Sequence, residues 1–291
     1  MVVLDYVPPH DDDRYESDED SAVSTVTRRS VETPTPPRQT AGSSRKLAVA
    51  RARYFRRKYI IERFLATALF VGTGPLVAAL IVLVRVTSKG PGIYKQKRLG
   101  LHGEVFDVYK LRSMYVDAES NGKPVWCTKN DSRITPVGAF LRKTHLDELP
   151  QLWNVVRGDM SLTGPRPERP EICEKLAVII DNYYGRNTVR PGVTGLAQIN
   201  LEPDQTVGDV RRKQFLDLNY IENACLSLDL RMLVATMLRV VGIRGGVAMR
   251  LMGLCRIKLV HDSVEPCAGD DCRLFAIQTD SSEGEAPRTP R

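Results

Sequence analysis

One stretch of the chain departs from the usual mixture of polar and apolar positions: residues 64–84 contain no charged side chain. About twenty largely apolar residues in helical form match the thickness of a bilayer core. Basic residues flank the run on both sides, with Lys58 and Arg63 before it and Arg85 and Lys89 after it. Because lysine and arginine concentrate at the cytoplasmic ends of membrane segments, this pattern predicts a membrane anchor with both ends on the same side.

The middle of the run predicts a helix break. Gly74 and Pro75 stand there, and a proline inside a helix lacks one N–H donor and clashes with the carbonyl one turn back. A re-entrant helix-hairpin that dips into one leaflet satisfies both the break and the basic flanks. A spanning helix with a proline kink is the alternative. A helix buried in a soluble core fits less well, because so long an uncharged run needs protein on every side.

Shorter patterns follow the anchor. Residues 92–96 and 105–111 have strand-like composition, are separated by a Gly-containing turn, and predict a short β-hairpin. Helical spacing recurs in residues 144–156, 168–184 and 226–254. The last of these mixes arginines with Leu, Val and Met, which suits an amphipathic interfacial helix, with a core-facing helix as the alternative. The predicted fold class is therefore α+β and mostly helical, with a re-entrant membrane helix-hairpin followed by a small cytosolic domain.

The two ends of the chain differ in composition from its centre. Residues 1–44 are acidic and rich in Ser, Thr and Pro, and they predict a disordered tail because they bury too little apolar surface to offset the entropy of ordering. Residues 260–291 predict a second disordered tail. Between them, residues 45–87 form the basic flank and membrane helix, and residues 88–259 form the cytosolic domain with its interfacial helices.

Charge and cysteine content narrow the function classes. The net charge of +7 includes the acidic N-terminal tail, so the remaining chain is strongly basic and suits an anionic partner. Nucleic acid is disfavoured because the basic residues are dispersed and no helix-turn-helix or RNA-binding motif is present. The six cysteines form no CxxC pair and the chain has four histidines, which argues against a zinc site and indicates reduced thiols on a cytosolic face.

The densest chemistry-bearing segment is residues 133–168. Asp147 and Glu148 are adjacent carboxylates beside a predicted helix start, where Thr144 would be the N-cap. A purely structural role is the alternative, because acidic residues in the first turn of a helix complement its dipole and can close a capping box. Several basic residues crowd the same part of the sequence: Lys110, Arg112, Arg133, Arg142, Arg157, Arg166 and Arg169. Since guanidinium groups bind phosphate oxygens bidentately, an acid pair among arginines indicates phosphoryl chemistry.

These motifs resemble those of the bacterial sugar transferases, the monotopic phosphoglycosyl transferases that begin lipid-linked glycan and exopolysaccharide assembly on a polyprenyl phosphate. The resemblance covers residues 57–244. It rests on ordered matches in six segments: residues 88–91, 109–114, 131–135, 146–155, 157–168 and 190–198. Members of that family carry a re-entrant membrane helix broken at a Ser-Pro pair, and Gly74 and Pro75 occupy that place here.

The resemblance implies that Asp147 and Glu148 are the catalytic pair of a phosphoglycosyl transferase catalytic domain. We hypothesise that Asp147 attacks the β-phosphorus of a UDP-sugar, that UMP leaves, and that the polyprenyl phosphate then takes the sugar phosphate from the aspartyl ester. Glu148, together with Asp147, would hold Mg²⁺, a hard cation that binds carboxylates and substrate phosphates.

Arg166 is the first candidate for a phosphate ligand, since Pro165 and Pro167 restrict its backbone. Three further candidates are Lys110, Arg112 and Arg133. A solvated surface charge or a contact with a lipid headgroup is the alternative for each. Asp159 and Glu168 are expected either to orient these arginines or to bind the metal.

The expected partners are a UDP-sugar, polyprenyl phosphate and membrane lipids, with Mg²⁺ as the cofactor and no nucleic acid. The expected location is the cytoplasmic face of the inner membrane. A homodimer, the identity of the sugar and the length of the polyprenol are left open. Two other functions fit the residues: a membrane-tethered, non-catalytic protein that binds anionic lipid, and a glycosyltransferase that releases UDP instead of UMP.

Overall fold

The longest element is helix α1, Ala41–Thr87, which contains the predicted membrane segment. The computed structural model describes residues 41–116, 118, 131–204 and 206–263. Helix α1 begins at Ala41, inside the predicted N-terminal tail, and residues 1–40 of that prediction lie outside the described residues. Within the described chain, one helical stretch is long and apolar enough to cross a membrane, Arg51–Thr87, and 17% of its most apolar window is buried.

Helix α1 continues through Gly74 and Pro75 as one helix, so the predicted re-entrant helix-hairpin is not confirmed and the break at these two residues stays a prediction. A proline removes one hydrogen bond from a helix, and packing on both sides of it decides whether the helix persists. Ala66 packs in an apolar cluster before the proline, and Val77 and Val84 pack in another after it. Because both halves of α1 dock on the same domain, they are held as one continuous helix.

The predicted β-hairpin is confirmed. Strands β1, Ile93–Leu99, and β2, Val105–Leu111, pair antiparallel, with Ile93 opposite Leu111 and Leu99 opposite Val105. Two shorter strands, β3, Ser161–Thr163, and β4, Gly192–Thr194, pair in parallel and lie close to α1 and to the middle of the domain. The hairpin and this small parallel pair provide two rigid backbones for the residues discussed below.

Eight further helices surround the strands in the described chain: α2, Pro136–Lys143; α3, Gln151–Arg157; α4, Pro170–Ile179; α5, Leu196–Asn200; α6, Val207–Asn223; α7, Leu226–Val240; α8, Gly245–Leu251; and α9, Ile257–Ser263. Helix α6 starts with a capping box, in which Thr206 accepts from the Asp209 amide and Asp209 accepts from the Thr206 amide. Helix α9 extends past residue 259 into the predicted C-terminal tail, and residues 264–291 lie outside the described residues.

Helix α7 resolves the question of whether its apolar residues face the core. Leu228, Met232 and Ala235 are buried in a cluster shared with α5, α6, α8 and α9. The opposite face is also apolar and exposed, including Leu226 and Met237, which are both 68% exposed. A helix that packs in the core and shows a second apolar face to solvent fits an interfacial position, which remains a prediction.

Candidate active site

The Asp147-Glu148 pair lies in a tight connection between α2 and α3. Helix α2 ends at Lys143 with Thr144 as its C-cap, and the next residue, His145, adopts a left-handed conformation with φ 56°. A short 3₁₀ turn, Leu146–Glu148, follows, and α3 begins at Gln151. The expectation that Thr144 starts a helix is therefore wrong: it closes α2, and its hydroxyl donates to the Phe140 carbonyl at 2.9 Å. The left-handed residue reverses the chain and places both carboxylates on a fixed turn.

Glu148 is held by two cations from distant parts of the chain. Its Oε1 atom accepts from Lys110 Nζ on β2 at 2.9 Å and from Arg166 Nη2 at 2.6 Å. Burial acts to raise the pKa of Glu148, but Arg166 and Lys110 outweigh it and hold that pKa well below its usual range. Glu148 is therefore an ionised carboxylate clamped between two of the predicted phosphate ligands.

Asp147 has the opposite environment. It is 8% exposed, and its carboxylate has no hydrogen bond or ion pair with the residues that the structure describes. Burial and the neighbouring charge of Glu148 raise its pKa, while Lys110, Arg142 and Arg166 oppose that rise. A carboxylate of raised basicity, without a hydrogen bond to the described residues and beside a cation clamp, suits a nucleophile better than a structural acid.

A second group of charges fixes the backbone of the segment that carries Arg166. Arg186 donates to the Arg166 carbonyl at 2.9 Å, and Arg98 donates to the Pro167 carbonyl at 3.0 Å. Glu168 binds both of these arginines and also Lys213. Burial alone would raise the pKa of Glu168, but the cations lower it to about 2. Of the two roles predicted for Glu168, the structure favours orienting arginines, because three cations already surround it.

Arg112 and Arg133 do not join the clamp in the described contacts. Arg112, predicted as a phosphate ligand, instead donates to the carbonyls of Lys89 and Ser88 and to the Ser88 hydroxyl, where α1 ends. Arg133 pairs with Asp131 and donates to the Ala118 carbonyl at 3.2 Å. Arg112 thus satisfies carbonyls at the C-terminus of α1, and Arg133 joins two segments of the chain.

Three residues of this site escaped the sequence analysis: Arg98, Arg186 and Lys213. Each lies far along the chain from Asp147, in a segment where one basic residue looks like any surface charge. Arg186 also lines a shallow cleft together with Arg166, Pro167 and Asn187. Only the fold brings these basic residues to Glu168 and to the segment that carries Arg166, so no local sequence signal could have found them.

The carboxylates of the site could bind magnesium only together with substrate phosphates. Within the described residues, no three or more His, Cys, Asp and Glu side chains form a group that could hold a metal ion. Asp147 and the Oε2 atom of Glu148 have no partner among those residues. Two carboxylates with the phosphates of a substrate match the preference of Mg²⁺, so the residues fit an ion that arrives with its substrate.

Comparison with known proteins identifies the family. The model described as bacterial sugar transferase matches residues 53–242, which include β1 to β4 and the whole clamp around Glu148. The chain belongs to the bacterial sugar transferase family. Helices α8 and α9 lie beyond the residues that match this family, although their side chains complete the apolar cluster beneath α7.

The relatives of this chain have names that specify different sugars. A UDP-glucose:undecaprenyl-phosphate glucose-1-phosphate transferase of Xanthomonas campestris is 40% identical over 64% of this chain and 39% of its own length. A UDP-N-acetylgalactosamine-undecaprenyl-phosphate N-acetylgalactosaminephosphotransferase of Aeromonas hydrophila is 38% identical over 61% of this chain and 41% of its own. An exopolysaccharide production protein of Rhizobium leguminosarum is 33% identical over 62% of this chain and 92% of its own. The chain thus spans about two fifths of the first two relatives.

Proposed function

We propose that this member of the family transfers a sugar 1-phosphate from a UDP-sugar to polyprenyl phosphate, such as undecaprenyl phosphate, and releases UMP. Two observations support the reaction. The names of the Xanthomonas campestris and Aeromonas hydrophila relatives give a UDP-sugar and undecaprenyl phosphate as their substrates. The site also combines two carboxylates with cations suited to a pyrophosphate.

The difference between the two carboxylates carries the proposal. Glu148 is held by Lys110 and Arg166, whereas Asp147 has no partner among the described residues. In the first step, an Asp147 carboxylate oxygen forms a bond to the β-phosphorus, and the bond from that phosphorus to the bridging oxygen breaks, so that UMP leaves with the electron pair. In the second step, a phosphate oxygen of the polyprenyl carrier attacks the same phosphorus and releases the Asp147 carboxylate.

The cations offset the repulsion between the negatively charged pyrophosphate and the attacking Asp147 carboxylate. Arg166 uses one nitrogen, Nη2, to hold Glu148, and its other N–H groups have no acceptor among the described residues. Those groups can bind phosphate oxygens without releasing Glu148. A bound Mg²⁺ would neutralise the pyrophosphate next to Asp147 and Glu148. Arg98 and Arg186 keep Arg166 in position through the backbone carbonyls that they bind.

The location at the membrane follows from the substrate. A polyprenyl phosphate is confined to the bilayer, so the enzyme must present Asp147 at the depth of the headgroups. Helix α1 supplies an apolar stretch for attachment, and the exposed apolar face of α7 suits the interface. We propose that the domain sits on the cytoplasmic face of the inner membrane, where UDP-sugars are made.

The nucleotide that leaves decides among the possible functions. The detergent-purified full-length chain is incubated with Mg²⁺, undecaprenyl phosphate and one UDP-sugar at a time, and the nucleotide products are separated. Release of UMP that depends on the lipid carrier supports the proposal. Release of UDP would make the protein a glycosyltransferase, and release of neither nucleotide with any sugar would favour a binding protein. Asp147→Ala provides the blank for contaminating hydrolases.

A further inference from the structure

Two arginines outside the active site converge on one glycine. Arg63 on α1 donates from Nη2 to the carbonyl of Arg157, the last residue of α3, at 3.3 Å. Gly158 follows with φ +91°, and a side chain there would collide with Arg63 Nη2. Arg190 Nη1 lies 3.6 Å from the position that the same side chain would take. The absence of a side chain at Gly158 therefore leaves room for two guanidinium groups at one point on the surface.

These two guanidinium groups have no counter-charge. Among the residues that the structure describes, no carboxylate lies within ion-pair distance of Arg63 or Arg190, and nearby Asp159 pairs with Arg157 at 3.3 Å. Tyr59 on α1 holds Arg190 in place: its ring lies 4.5 Å from the guanidinium carbon, and its hydroxyl accepts from the Arg190 amide at 2.9 Å. Since like charges repel at this range, a fixed pair of arginines is stabilised by an anion between them.

The position of Arg63 along α1 indicates what carries that anion. Arg63 is the last charged residue before the uncharged run 64–84. Phe64 and Leu65, which follow directly, are 74% and 43% exposed. An anion bound at Arg63 therefore has an open apolar helix surface on one side, where a hydrocarbon chain can lie. Soluble phosphate would leave that surface unused.

We propose that Arg63 and Arg190 form a binding site for a phosphate group carried on a lipid. The guanidinium groups bind the phosphate oxygens, and the hydrocarbon chain runs along the exposed side of α1. A membrane phospholipid and the polyprenyl phosphate substrate share this chemistry. The site contains no residue of the Glu148 clamp, so it goes beyond the proposed transferase function and does not require it.

Binding is measured without a sugar donor, so the result is independent of turnover. Delipidated full-length protein in detergent is titrated with phosphatidylglycerol, undecaprenyl phosphate or diacylglycerol, and bound lipid is counted by native mass spectrometry. Arg63→Gln with Arg190→Gln is expected to weaken binding of a phosphate-bearing lipid about tenfold or more, as loss of charged hydrogen bonds to phosphate does. Diacylglycerol, which has no phosphate, should bind the wild type and this variant equally.

The control replaces two exposed arginines elsewhere, Arg53→Gln on α1 and Arg250→Gln on α8, and should bind all three lipids as the wild type does. Weakening with phosphatidylglycerol alone identifies a phospholipid site, and weakening with undecaprenyl phosphate identifies a site for the carrier. Arg63 also contacts α3, so Arg190→Gln alone decides the case if the double variant fails to fold. Unchanged binding of both phosphate-bearing lipids by a folded Arg190→Gln variant, or equal weakening in the control, would overturn the proposal.

Discussion

Lys58 on α1 and Thr163 on β3 are joined by two hydrogen bonds, from the lysine ammonium group to the threonine carbonyl at 2.8 Å and to its hydroxyl. Lys58 is 6% exposed and forms ion pairs with Glu62 at 3.2 Å and with Asp229 on α7 at 2.8 Å. Thr163 precedes Arg166 by three residues. The helix that carries the predicted membrane segment is therefore bonded directly to the strand that leads into the Glu148 clamp.

Replacing Lys58 should destabilise this connection. Lys58→Met leaves the buried carboxylates of Glu62 and Asp229 without their shared cation, which typically costs about 3–5 kcal/mol. We expect a clear fall in the melting temperature of the detergent-purified protein, measured by circular dichroism. Lys97→Met, at an exposed position of β1, serves as the control. Adding Asp229→Asn to Lys58→Met should recover part of the loss, and a wild-type melt for Lys58→Met would show that the network contributes little.

The two carboxylates of the site should respond differently to removal of their charge. Asp147→Asn removes the proposed nucleophile, so lipid-dependent UMP release should fall to background while the protein stays in the membrane fraction. Glu148→Gln keeps the nucleophile but weakens the hold on Lys110 and Arg166, and should lower kcat by about 10²–10³-fold. Isolation of a phosphosugar ester after brief reaction is expected with the wild type. Substantial turnover by Asp147→Asn contradicts the covalent step.

Arg166 and Arg112 look alike in the sequence, but substitution of the first should affect catalysis and substitution of the second should affect stability. Arg166→Lys keeps the charge but loses the planar group that binds phosphate in pairs of hydrogen bonds, so we expect kcat/KM to fall about 10–100-fold with little change in the melting temperature. Arg112→Lys should instead lower the melting temperature, because Arg112 binds carbonyls at the end of α1. Steady-state kinetics and thermal melts of both variants test this. If Arg112→Lys lost as much kcat/KM as Arg166→Lys and was not destabilised, Arg112 would be a phosphate ligand as the sequence predicts.

The raised pKa of Asp147 predicts the acid side of the pH profile. The nucleophile must be ionised, so kcat/KM should rise with pH through a pKa above that of an ordinary aspartate. Burial and the charge of Glu148 raise the pKa of Asp147, and Arg142 opposes that increase. Arg142→Gln should therefore move the acid limb to still higher pH, whereas Lys143→Gln, at the next position on the surface of α2, should leave it in place. An acid limb at or below the usual aspartate range would contradict the assignment.

Local patterns were enough to predict part of this structure. The strand-like composition of residues 92–96 and 105–111 predicted a hairpin because each strand carries its own signal and the turn between them is short. Asp147 and Glu148 became candidates through their adjacency, through the basic residues on both sides of them in the sequence, and through the resemblance to the sugar transferases, and their catalytic role stays a prediction. These features depend on neighbours along the chain, which a single sequence displays.

The differences between the structure and the sequence predictions have a common physical cause in contacts between distant segments. Whether Pro75 breaks α1 depends on the packing of Val77 and Val84 against the domain, which the proline itself does not reveal. Arg112 was assigned to phosphate because its partner, the end of α1, lies more than twenty residues away. The contacts of Glu168 with Arg98 and Lys213 span still longer separations. Composition predicts that such charges are present, but only the fold determines how they pair.

Glu168 should stabilise the fold in a pH-dependent manner. Its pKa of about 2 lies below the ordinary value of 4.5, because Lys213, Arg186 and Arg98 outweigh the effect of burial. A lowered carboxylate pKa adds stability that is present above the unfolded value and is lost as the pH falls through the folded value. Glu168→Gln should therefore lower the free energy of unfolding by about 3 kcal/mol at neutral pH.

That deficit should shrink as the pH falls from 4.5 towards about 2, because protonation makes the wild-type carboxyl group neutral, as the glutamine amide is at every pH. Thermal melts across this range compare Glu168→Gln with Glu171→Gln, whose side chain is 57% exposed and pairs at 3.6 Å with Arg169. Surface pairs of this kind contribute little, so the control should follow the wild type at every pH. A Glu168→Gln deficit that stays constant down to the lowest pH would mean that packing of the side chain, and not its charge, stabilises this part of the site.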